Sequence, residues 1–433
     1  MENNISTEWA QGESINEVLF CETFLKEIPL KCIKGQFFGV DGVKPDNEIE
    51  MEIYNKIKPF VSNSLSRKVR QLLEALRMEC YSDELPIETD RIHLKNGTYY
   101  INKTFTEEKN FCLNRLPVCY NLNAQKPEKW LNFLSDLLEP EDILTLQEYM
   151  GYCLIPTNKA QKLLMIIGKG GEGKSRIGLV MRSLLGANMN VTSIQKIEHN
   201  RFARADLEHK LLMVDDDMKL EALKDTNYIK TIVTLEDKMD LERKSKQSEQ
   251  GYLYVRFLCF GNGSLAALHD RSYGFYRRQL ILTTKDKPAN RVDDPYLIDK
   301  LRSESEGILL WALEGLHRLI DNNYRFTIGQ RTANNLKSAM ENSNNIISFM
   351  ESTGYIRFEN NTMATSRSLY EAYQRWCTDN AEKPVAAKTF SSYLIENEGT
   401  YNIKYSTNIP VSGGKKARGF TGIFVTINTS FYT

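Results

Sequence analysis

The sequence predicts a multidomain α/β protein with a central parallel sheet, a helical N-terminal region and a small C-terminal domain of helices and a hairpin. Three short apolar runs, at 162–167, 211–214 and 255–260, each end in glycine or polar residues, as buried parallel strands do. Amphipathic helical patterns surround them. The chain has 433 residues, of which 41% are hydrophobic and 26% charged, a size that suggests roughly two to four domains.

Composition excludes several classes of protein. Lysine plus arginine equals aspartate plus glutamate, at 56 each, so any nucleic-acid contact must come from local patches. No apolar run approaches the about 18 residues of a membrane span, and residues 1–10 are too polar for a signal peptide. We therefore expect a cytoplasmic protein with no membrane attachment. The eight cysteines form no CxxC pair, which predicts reduced, buried thiols and no zinc site.

Periodicity suggests five segments. Residues 15–81 are mostly helical in pattern, and Val69, Leu72, Leu73 and Leu76 mark one apolar face. The alternating run 92–101 around Asn96-Gly97 predicts a hairpin with a type I′ turn, and a helical stretch follows at 127–152. The predicted boundaries are 1–90 (helical, role unknown), 91–160 (helical approach), 161–286 (nucleotide-binding core), 287–340 (helical lid or linker) and 341–433 (winged helix).

The segment GKGGEGKS at 168–175 lies between a predicted strand and a predicted helix, which is the context of a P-loop. Glycines allow successive backbone N–H groups to face phosphate oxygens, and the helix N-terminus adds its positive dipole. Lys174 would reach the β- and γ-phosphates, and Ser175 would bind Mg²⁺. The sequence therefore predicts ATP with Mg²⁺ as ligands, with phosphate-binding residues Gly168, Gly170, Gly171, Gly173, Lys174 and Ser175.

Two later strands end in candidate catalytic residues. The run at 211–214 precedes Asp215-Asp216-Asp217, the form of a Walker B element. We assign Asp215 to Mg²⁺ and Asp216 to polarising the attacking water. The third run precedes Asn262, which fits the polar residue that contacts the γ-phosphate or the water in ATPases of the AAA+ type.

Arg277 and Arg278 stand directly before another apolar strand, at 279–282. Two interpretations remain open. Such a pair is often a solvated or ion-paired surface feature. It would instead be an arginine finger if one guanidinium entered the ATP site of a neighbouring subunit and stabilised charge on the transferring phosphoryl group.

The C-terminal pattern is that of a winged helix: two amphipathic helices, at 366–380 and 387–397, then strands at 403–405 and 422–427. Lys388 would lie on a recognition helix in a major groove, and Lys415, Lys416 and Arg418 would contact phosphates from the wing. A winged helix that binds protein instead of DNA is the alternative.

The order of these motifs resembles superfamily 3 helicases, specifically the helicase module of phage and plasmid primase-helicases, the P4 (D5-like) family. The similarity covers residues from about 92 onward and includes the P-loop, RFARADLEHK before LLMVDDD, GFYRRQLIL and the C-terminal phrase LYEAYQRWC. It implies an AAA+ core, a homo-hexameric ring on DNA and 3′ to 5′ travel. It also implies a Lys-x-Lys hairpin in the ring channel, with Arg243, Lys244 and Lys246 as DNA contacts; without the resemblance this loop would be read as a solvated charged segment.

The sequence departs from that family in two places. Glu172 replaces the asparagine often found before the last P-loop glycine, and its side chain would either face the phosphates or point outward. The first 90 residues carry no primase carboxylate constellation, so a primase or loader would be a separate partner. The leading expectation is an ATP-dependent DNA helicase of a phage, plasmid or chromosomal island. An ATP-switched, DNA-binding replication initiator is the second, and a small-molecule P-loop kinase is the third.

Overall fold

The computed structural model describes residues 8–12, 14–218, 226–245, 247–263, 273–288, 292–343, 345–411 and 413–426, with the backbone alone at 273 and 341–343. These residues divide into two compact units. The first contains the described residues up to 263 together with 277–332, and the second contains 273–276 and the described residues from 333 onward. Each unit is considered by itself.

The first unit begins with three helices, as the mostly helical pattern predicted, and with short strands that were not predicted. A three-stranded antiparallel sheet, in the order β3-β4-β5, separates the first helix from the next two. The strands have four, four and three residues, so they are too short for alternation to reveal them in the sequence. The elements are β1 (Ala10–Gln11), β2 (Ser14–Ile15), α1 (Glu17–Glu27), β3 (Leu30–Ile33), β4 (Gln36–Gly39), β5 (Gly42–Lys44), α2 (Asp46–Ile57) and α3 (Leu65–Glu79).

A separate hydrophobic core holds these N-terminal elements together. The predicted apolar face of α3 is confirmed, because Val69, Leu72, Leu73 and Leu76 are all buried. Helix α2 contributes Ile49, Ile53 and Ile57, which are spaced four residues apart and therefore share one face. Both faces pack into one cluster with α1.

The segment that leads to the central sheet contains a second small sheet and two helices. Its strands are β6 (Arg91–Leu94), β7 (Gly97–Tyr100), β8 (Phe105–Thr106) and β9 (Arg115–Leu116), and its helices are α4 (Glu128–Leu137) and α5 (Pro140–Tyr152). The predicted hairpin is confirmed, but Leu94 pairs with Gly97, so the turn residues are Lys95 and Asn96 and neither has a positive φ. The predicted helix at 127–152 is broken before Pro140, which cannot donate a helical hydrogen bond.

The turn differs from the predicted type because the Asn96 side chain is used elsewhere. Its Nδ2 donates to the carbonyl oxygen of Tyr120 at 2.9 Å, and its Oδ1 accepts from the N–H of Tyr120 at 2.8 Å. The backbone of Tyr120, which is distant in sequence, therefore fixes the conformation of the turn.

Five parallel strands form the central sheet in the order β11-β12-β15-β10-β16. The parallel sheet is confirmed, while the short strand β11 was not predicted. The carboxyl ends of the five strands meet at one edge, where ligands bind in open α/β sheets. The elements are β10 (Leu163–Gly168), α6 (Ser175–Leu185), a 3₁₀ turn (Gly186–Asn188), β11 (Met189–Val191), α7 (Ile194–His199), α8 (Arg201–Ala205), β12 (Leu212–Met218), α9 (Asn227–Val233), β13 (Met239–Leu241), β14 (Glu249–Gly251), β15 (Arg256–Asn262), α10 (Tyr273–Tyr276, in the second unit), β16 (Gln279–Thr283), α11 (Leu297–Arg302), α12 (Ser305–Asp321) and α13 (Gln330–Ser343), which continues into the second unit.

A buried arginine anchors the first residue of β15. Arg256 is 2% exposed, and its guanidinium donates to the carbonyl oxygens of Tyr254 and Ile155, to that of Tyr152 at 2.6 Å and to that of Thr157 at 3.4 Å. Tyr152 is the last residue of α5, so a cation meets the carbonyls at a helix C-terminus, where the dipole favours it.

The second unit contains helices and a three-stranded antiparallel sheet in the order β17-β19-β18. Both predicted amphipathic helices are confirmed. The strand β17 was not predicted, because its sequence, IRFENNTMAT, is polar and largely exposed. The elements are α14 (Asn345–Glu351), β17 (Ile356–Thr365), α15 (Ser366–Asp379), α16 (Ala387–Glu396), α17 (Glu398–Tyr401), β18 (Lys404–Val411) and β19 (Lys415–Val425).

All eight cysteines are free thiols, and all except the partly exposed Cys119 are buried, as predicted. Within the part of the chain that the structure describes, no helix combines the length and apolar character needed to cross a bilayer.

Candidate functional site

The P-loop joins the end of β10 to the start of α6 at the carboxyl edge of the central sheet. Gly170, Gly171 and Gly173 have φ values of 109°, 81° and 102°. L-residues rarely adopt such values, so the glycines permit a path that turns backbone N–H groups toward the loop interior. The predicted strand, loop and helix are thus in place around 168–175.

Glu172 points into this loop. Its side chain is buried, at 4% exposure, and its Oε1 accepts from the N–H groups of Lys169 at 2.5 Å and Gly170 at 2.8 Å. Its Oε2 accepts from Lys174 Nζ at 2.8 Å. Of the two orientations open from the sequence, the structure therefore has the inward one.

The pKa of the Glu172 carboxyl reflects opposing effects. Burial acts to raise it, but the hydrogen bond from Lys174, the backbone N–H groups and the Lys174 charge act to lower it and prevail. The carboxyl pKa is therefore below its usual value, and the group is an anion.

Lys174 is held between two strands of the sheet. It is 6% exposed, and its Nζ donates to Asn262 Oδ1 at 3.0 Å as well as to Glu172. Gly168 and Asn262 are register partners at the ends of β10 and β15, which explains the approach. Three predicted site residues thus meet at one point.

Gly168 leaves room for this arrangement. A Cβ at that position would lie 2.5 Å from Thr284 Oγ1 and 2.8 Å from Lys174 Nζ. Thr284 directly follows β16, so its hydroxyl lies at the same sheet edge. The sequence analysis missed Thr284, although its position at the end of a parallel strand is the signal that would have found it.

Asp215 and Asp216 occupy different environments. Asp215 is 4% exposed, and its Oδ2 accepts from the N–H of Ile194 at 2.8 Å while its Oδ1 accepts from that of Asp217 at 3.3 Å. Burial, opposed by these bonds, raises the pKa of the Asp215 carboxyl. Asp216 is exposed. Asp217 is exposed as well, so the triplet presents one fixed carboxylate and two that are open to solvent.

The donors near the P-loop suit a magnesium ion that is shared with phosphate. The Ser175 hydroxyl and the Asp215 carboxylate would supply oxygen ligands, since each carboxylate oxygen of Asp215 keeps a second lone pair. Among the described residues there is no group of three or more His, Cys, Asp or Glu side chains that could hold a metal. Mg²⁺ in nucleotide sites takes one or two protein oxygens plus phosphate and water, so this small set fits.

Strands β13 and β14 form a two-stranded antiparallel hairpin that carries the Lys-x-Lys segment. Lys244 is exposed near its tip, beside Ser245, whose φ is 59°. Arg243, at the start of the loop between the two strands, pairs with Glu208 and lies 3.8 Å from Glu249, so its guanidinium is occupied. Lys246 lies outside the described residues.

Arg277 and Arg278 lie at the opposite end of the sheet from the P-loop of the same chain. Gln279 pairs with Leu163 at the start of β10, and the strand to Gly168 spans about 16 Å. Arg277 is exposed, while Arg278 is half-buried with its Nη2 at 3.4 Å from Thr234 Oγ1. Burial, followed by the Arg277 charge, lowers the pKa of Arg278.

The basic residues predicted to touch DNA in the second unit are all exposed. Lys388 lies in the first turn of α16. Lys415 and Lys416 pair with Val411 and Pro410 beside the turn that connects β18 to β19, and Arg418 follows on β19. Within the described residues, none of the four has a carboxylate within ion-pair distance.

Comparisons with known proteins find a family of unknown function and a similar fold, and they assign no activity. Residues 166–278, which include the P-loop and Asn262, match a family of unknown function, DUF5906. A search of curated proteins finds no significant match. Among solved structures, the apo structure of the NrS-1 C-terminal region (305–718) is similar in fold, with a TM-score of 0.57 and 11% identity over 94% of this chain and 99% of that chain. An A form apo structure of the same region has a TM-score of 0.56 and 10% identity, again over 94% and 99%.

Proposed function

We propose that this protein is an ATP-dependent DNA helicase that acts in replication of a phage, plasmid or chromosomal island. The observation that carries the proposal is the convergence of Lys174 and Asn262, 3.0 Å apart, at the carboxyl edge of a parallel sheet whose P-loop path is formed by glycines. A P-loop lysine and a polar residue on the adjacent strand are what a hydrolysing site needs around a γ-phosphate.

Each residue has a role in this proposal. The loop N–H groups and Lys174 bind the β- and γ-phosphates, while Ser175 and Asp215 hold Mg²⁺. Asp216, which is exposed, polarises the attacking water, and Asn262 orients it or the γ-phosphate. Bound magnesium would neutralise charge on the phosphates.

DNA would be contacted by two separate surfaces. The β13–β14 hairpin would bring Lys244 and Lys246 to single-stranded DNA in the channel of a homo-hexamer. In the second unit, two helices followed by the β18–β19 hairpin have the order of a winged helix, which supports contact of Lys388, Lys415, Lys416 and Arg418 with origin duplex. Exposed cations without carboxylate partners suit phosphate contact.

Arg277 is the better candidate for a finger that acts in the neighbouring subunit. It is exposed and remote from its own P-loop, whereas Arg278 is half-buried against Thr234. Arg277→Ala should bind ATP normally and hydrolyse it poorly. Mixing it with Lys174→Ala should partly restore ATPase activity in mixed assemblies, and full activity in an isolated Arg277→Ala monomer would contradict action between subunits.

The decisive experiment measures ATP hydrolysis with and without single-stranded DNA, together with unwinding of a forked duplex. A helicase should show DNA-stimulated hydrolysis and ATP-dependent strand separation. Hydrolysis that DNA leaves unchanged, with phosphorylation of a small acceptor, would instead support a kinase.

A second candidate function is an ATP-switched replication initiator that binds DNA without strong unwinding and works with a separate primase or loader. Glu172 favours it, because a carboxylate already occupies the phosphate-binding donors. ATP-dependent assembly on origin DNA, with turnover too slow to separate strands, would distinguish this initiator from a motor.

A further inference from the structure

The P-loop donors of this protein already hold an anion that belongs to the chain itself. Glu172 accepts from the N–H groups of Lys169 and Gly170 and from Lys174 Nζ, and the carboxylate is almost completely buried. Lys174 completes the arrangement with its bond to Asn262. These are the donors that a P-loop offers to a nucleotide phosphate.

We propose that Glu172 is a built-in competitor of the nucleotide, occupying the phosphate position until ATP displaces it. The inference rests on the proposed nucleotide site and adds its regulation. Two anions cannot share the N–H groups of Lys169 and Gly170 at once, since each N–H makes one strong hydrogen bond, and two anions drawn to the Lys174 ammonium at such separations repel each other. Nucleotide binding and the inward position of Glu172 exclude each other.

The loop has the freedom that this exchange requires. Gly170, Gly171 and Gly173 flank Glu172, and Gly171 and Gly173 are its direct neighbours. A Cβ at Gly171 would meet nothing within 4 Å, so the backbone beside Glu172 is not held by close packing. Rotation about these glycines can carry the carboxylate out to solvent without moving β10 or α6.

The cost of this exchange should appear as reduced affinity. When a binding-competent state is a minor population, apparent affinity falls by the fraction of that state. Charge-assisted hydrogen bonds of this kind correspond to roughly a ten- to hundredfold change in equilibrium constant. Glu172→Ala should therefore bind Mg²⁺-ATP and inorganic pyrophosphate about ten- to hundredfold more tightly than the unchanged protein.

Calorimetric titration of the full chain with Mg²⁺-ATP, and separately with pyrophosphate, tests the proposal. Glu172→Gln keeps the side-chain shape and removes the charge, so its affinity should lie between those of the parent and Glu172→Ala. Asp286→Asn is the matched control: Asp286 is an exposed carboxylate that pairs with Lys169 Nζ at 2.7 Å. It removes the same charge beside the loop and should change affinity about twofold or less.

The outcomes separate the two proposals. Equal affinity of the parent and both Glu172 variants, with Lys174→Ala showing no binding, would overturn the competitor role and leave the nucleotide site intact. An equal gain in Asp286→Asn would also overturn it, because general repulsion would then explain the effect. If neither the parent nor any Glu172 variant binds ATP while thermal melting shows them folded, both proposals fail.

Discussion

Lysine appears in two opposite settings in this protein, at the P-loop and on the β18–β19 hairpin. Lys174 is buried and held at 2.8 Å and 3.0 Å by two side chains, so its ammonium has one position. Lys415 and Lys416 are exposed at the turn end of a hairpin. The first setting gives a fixed geometry, and the second gives charge that can adapt to a partner.

The difference indicates which chemistry each region can support. Stabilising a transferring phosphoryl group requires a donor that is already in place before charge develops. Contact with a nucleic-acid backbone requires only several accessible charges and becomes weaker as salt increases. Changes at the two regions should therefore affect hydrolysis and DNA affinity independently.

The largest expected effect is at Lys174. Lys174→Ala should lower the ATP hydrolysis rate by at least about a hundredfold, because one preorganised donor to a phosphoryl-transfer transition state is lost. DNA affinity at low nucleotide should stay the same, since the hairpin cations are unchanged. Rates are measured on protein free of contaminating ATPase, and a variant that hydrolyses at the parental rate would contradict the site.

Asp216 should show the next largest effect. Asp216→Asn should retain ATP binding and lose roughly a hundredfold in turnover, since a general base typically contributes that much. Asp217→Asn is the matched control, because Asp217 is its exposed neighbour in the same strand. Single-turnover hydrolysis and ATP binding are measured on both variants. Equal turnover in Asp216→Asn and Asp217→Asn would contradict the role assigned to Asp216.

A smaller effect is expected at the second region. Replacing Lys415, Lys416 and Arg418 with alanine should weaken duplex binding and reduce the slope of log affinity against log salt by about 0.9 per cation. Basal ATPase should not change. Arg367→Ala, which removes an exposed arginine paired with Glu371 at 2.8 Å, is the control and should leave the slope unaltered.

The smallest effect should come from Lys244. Lys244→Ala removes one exposed cation near the hairpin tip and should reduce the salt slope for single-stranded DNA by about 0.7. It should also reduce DNA stimulation of hydrolysis. Arg243→Ala tests the ion pair beside Lys244. Loss of the pair between Arg243 and Glu208 should lower the melting temperature. If DNA stimulates ATP hydrolysis by Lys244→Ala as strongly as it does in the parent, Lys244 does not contact DNA and the hairpin is only a solvated loop.

Periodicity and turn residues were sufficient to predict four of the five strands of the central sheet, but not the short strand β11. The runs before Gly168, Asp215 and Asn262 were visible because these parts of β10, β12 and β15 are apolar and buried, and each is followed by glycine or polar residues. The direction of the Glu172 side chain was not predictable. It depends on donors from Lys169, Gly170 and Lys174 that meet only after the loop folds.

Regions that depend on short or polar strands could not be read from the sequence. The sheet β3-β4-β5 contains strands of at most four residues, and β17 is largely exposed. The break before Pro140 could have been predicted, because proline is common in the first turn of a helix. The role of Arg243 could not have been predicted, because its ion-pair partner Glu208 is distant in sequence.

The contacts of Arg256 help to fix the register of the strand β15. The strand has seven residues, with Arg256 at one end and Asn262 at the other, and both side chains belong to the same alternating face. A slip of one residue along β10 or β12 would turn Arg256 away from the carbonyls of Tyr152 and Ile155, and at the same step it would turn Asn262 away from Lys174. The contacts of the Arg256 guanidinium at the start of β15 therefore help to fix the position of the Asn262 amide, about 20 Å away at the other end of the strand.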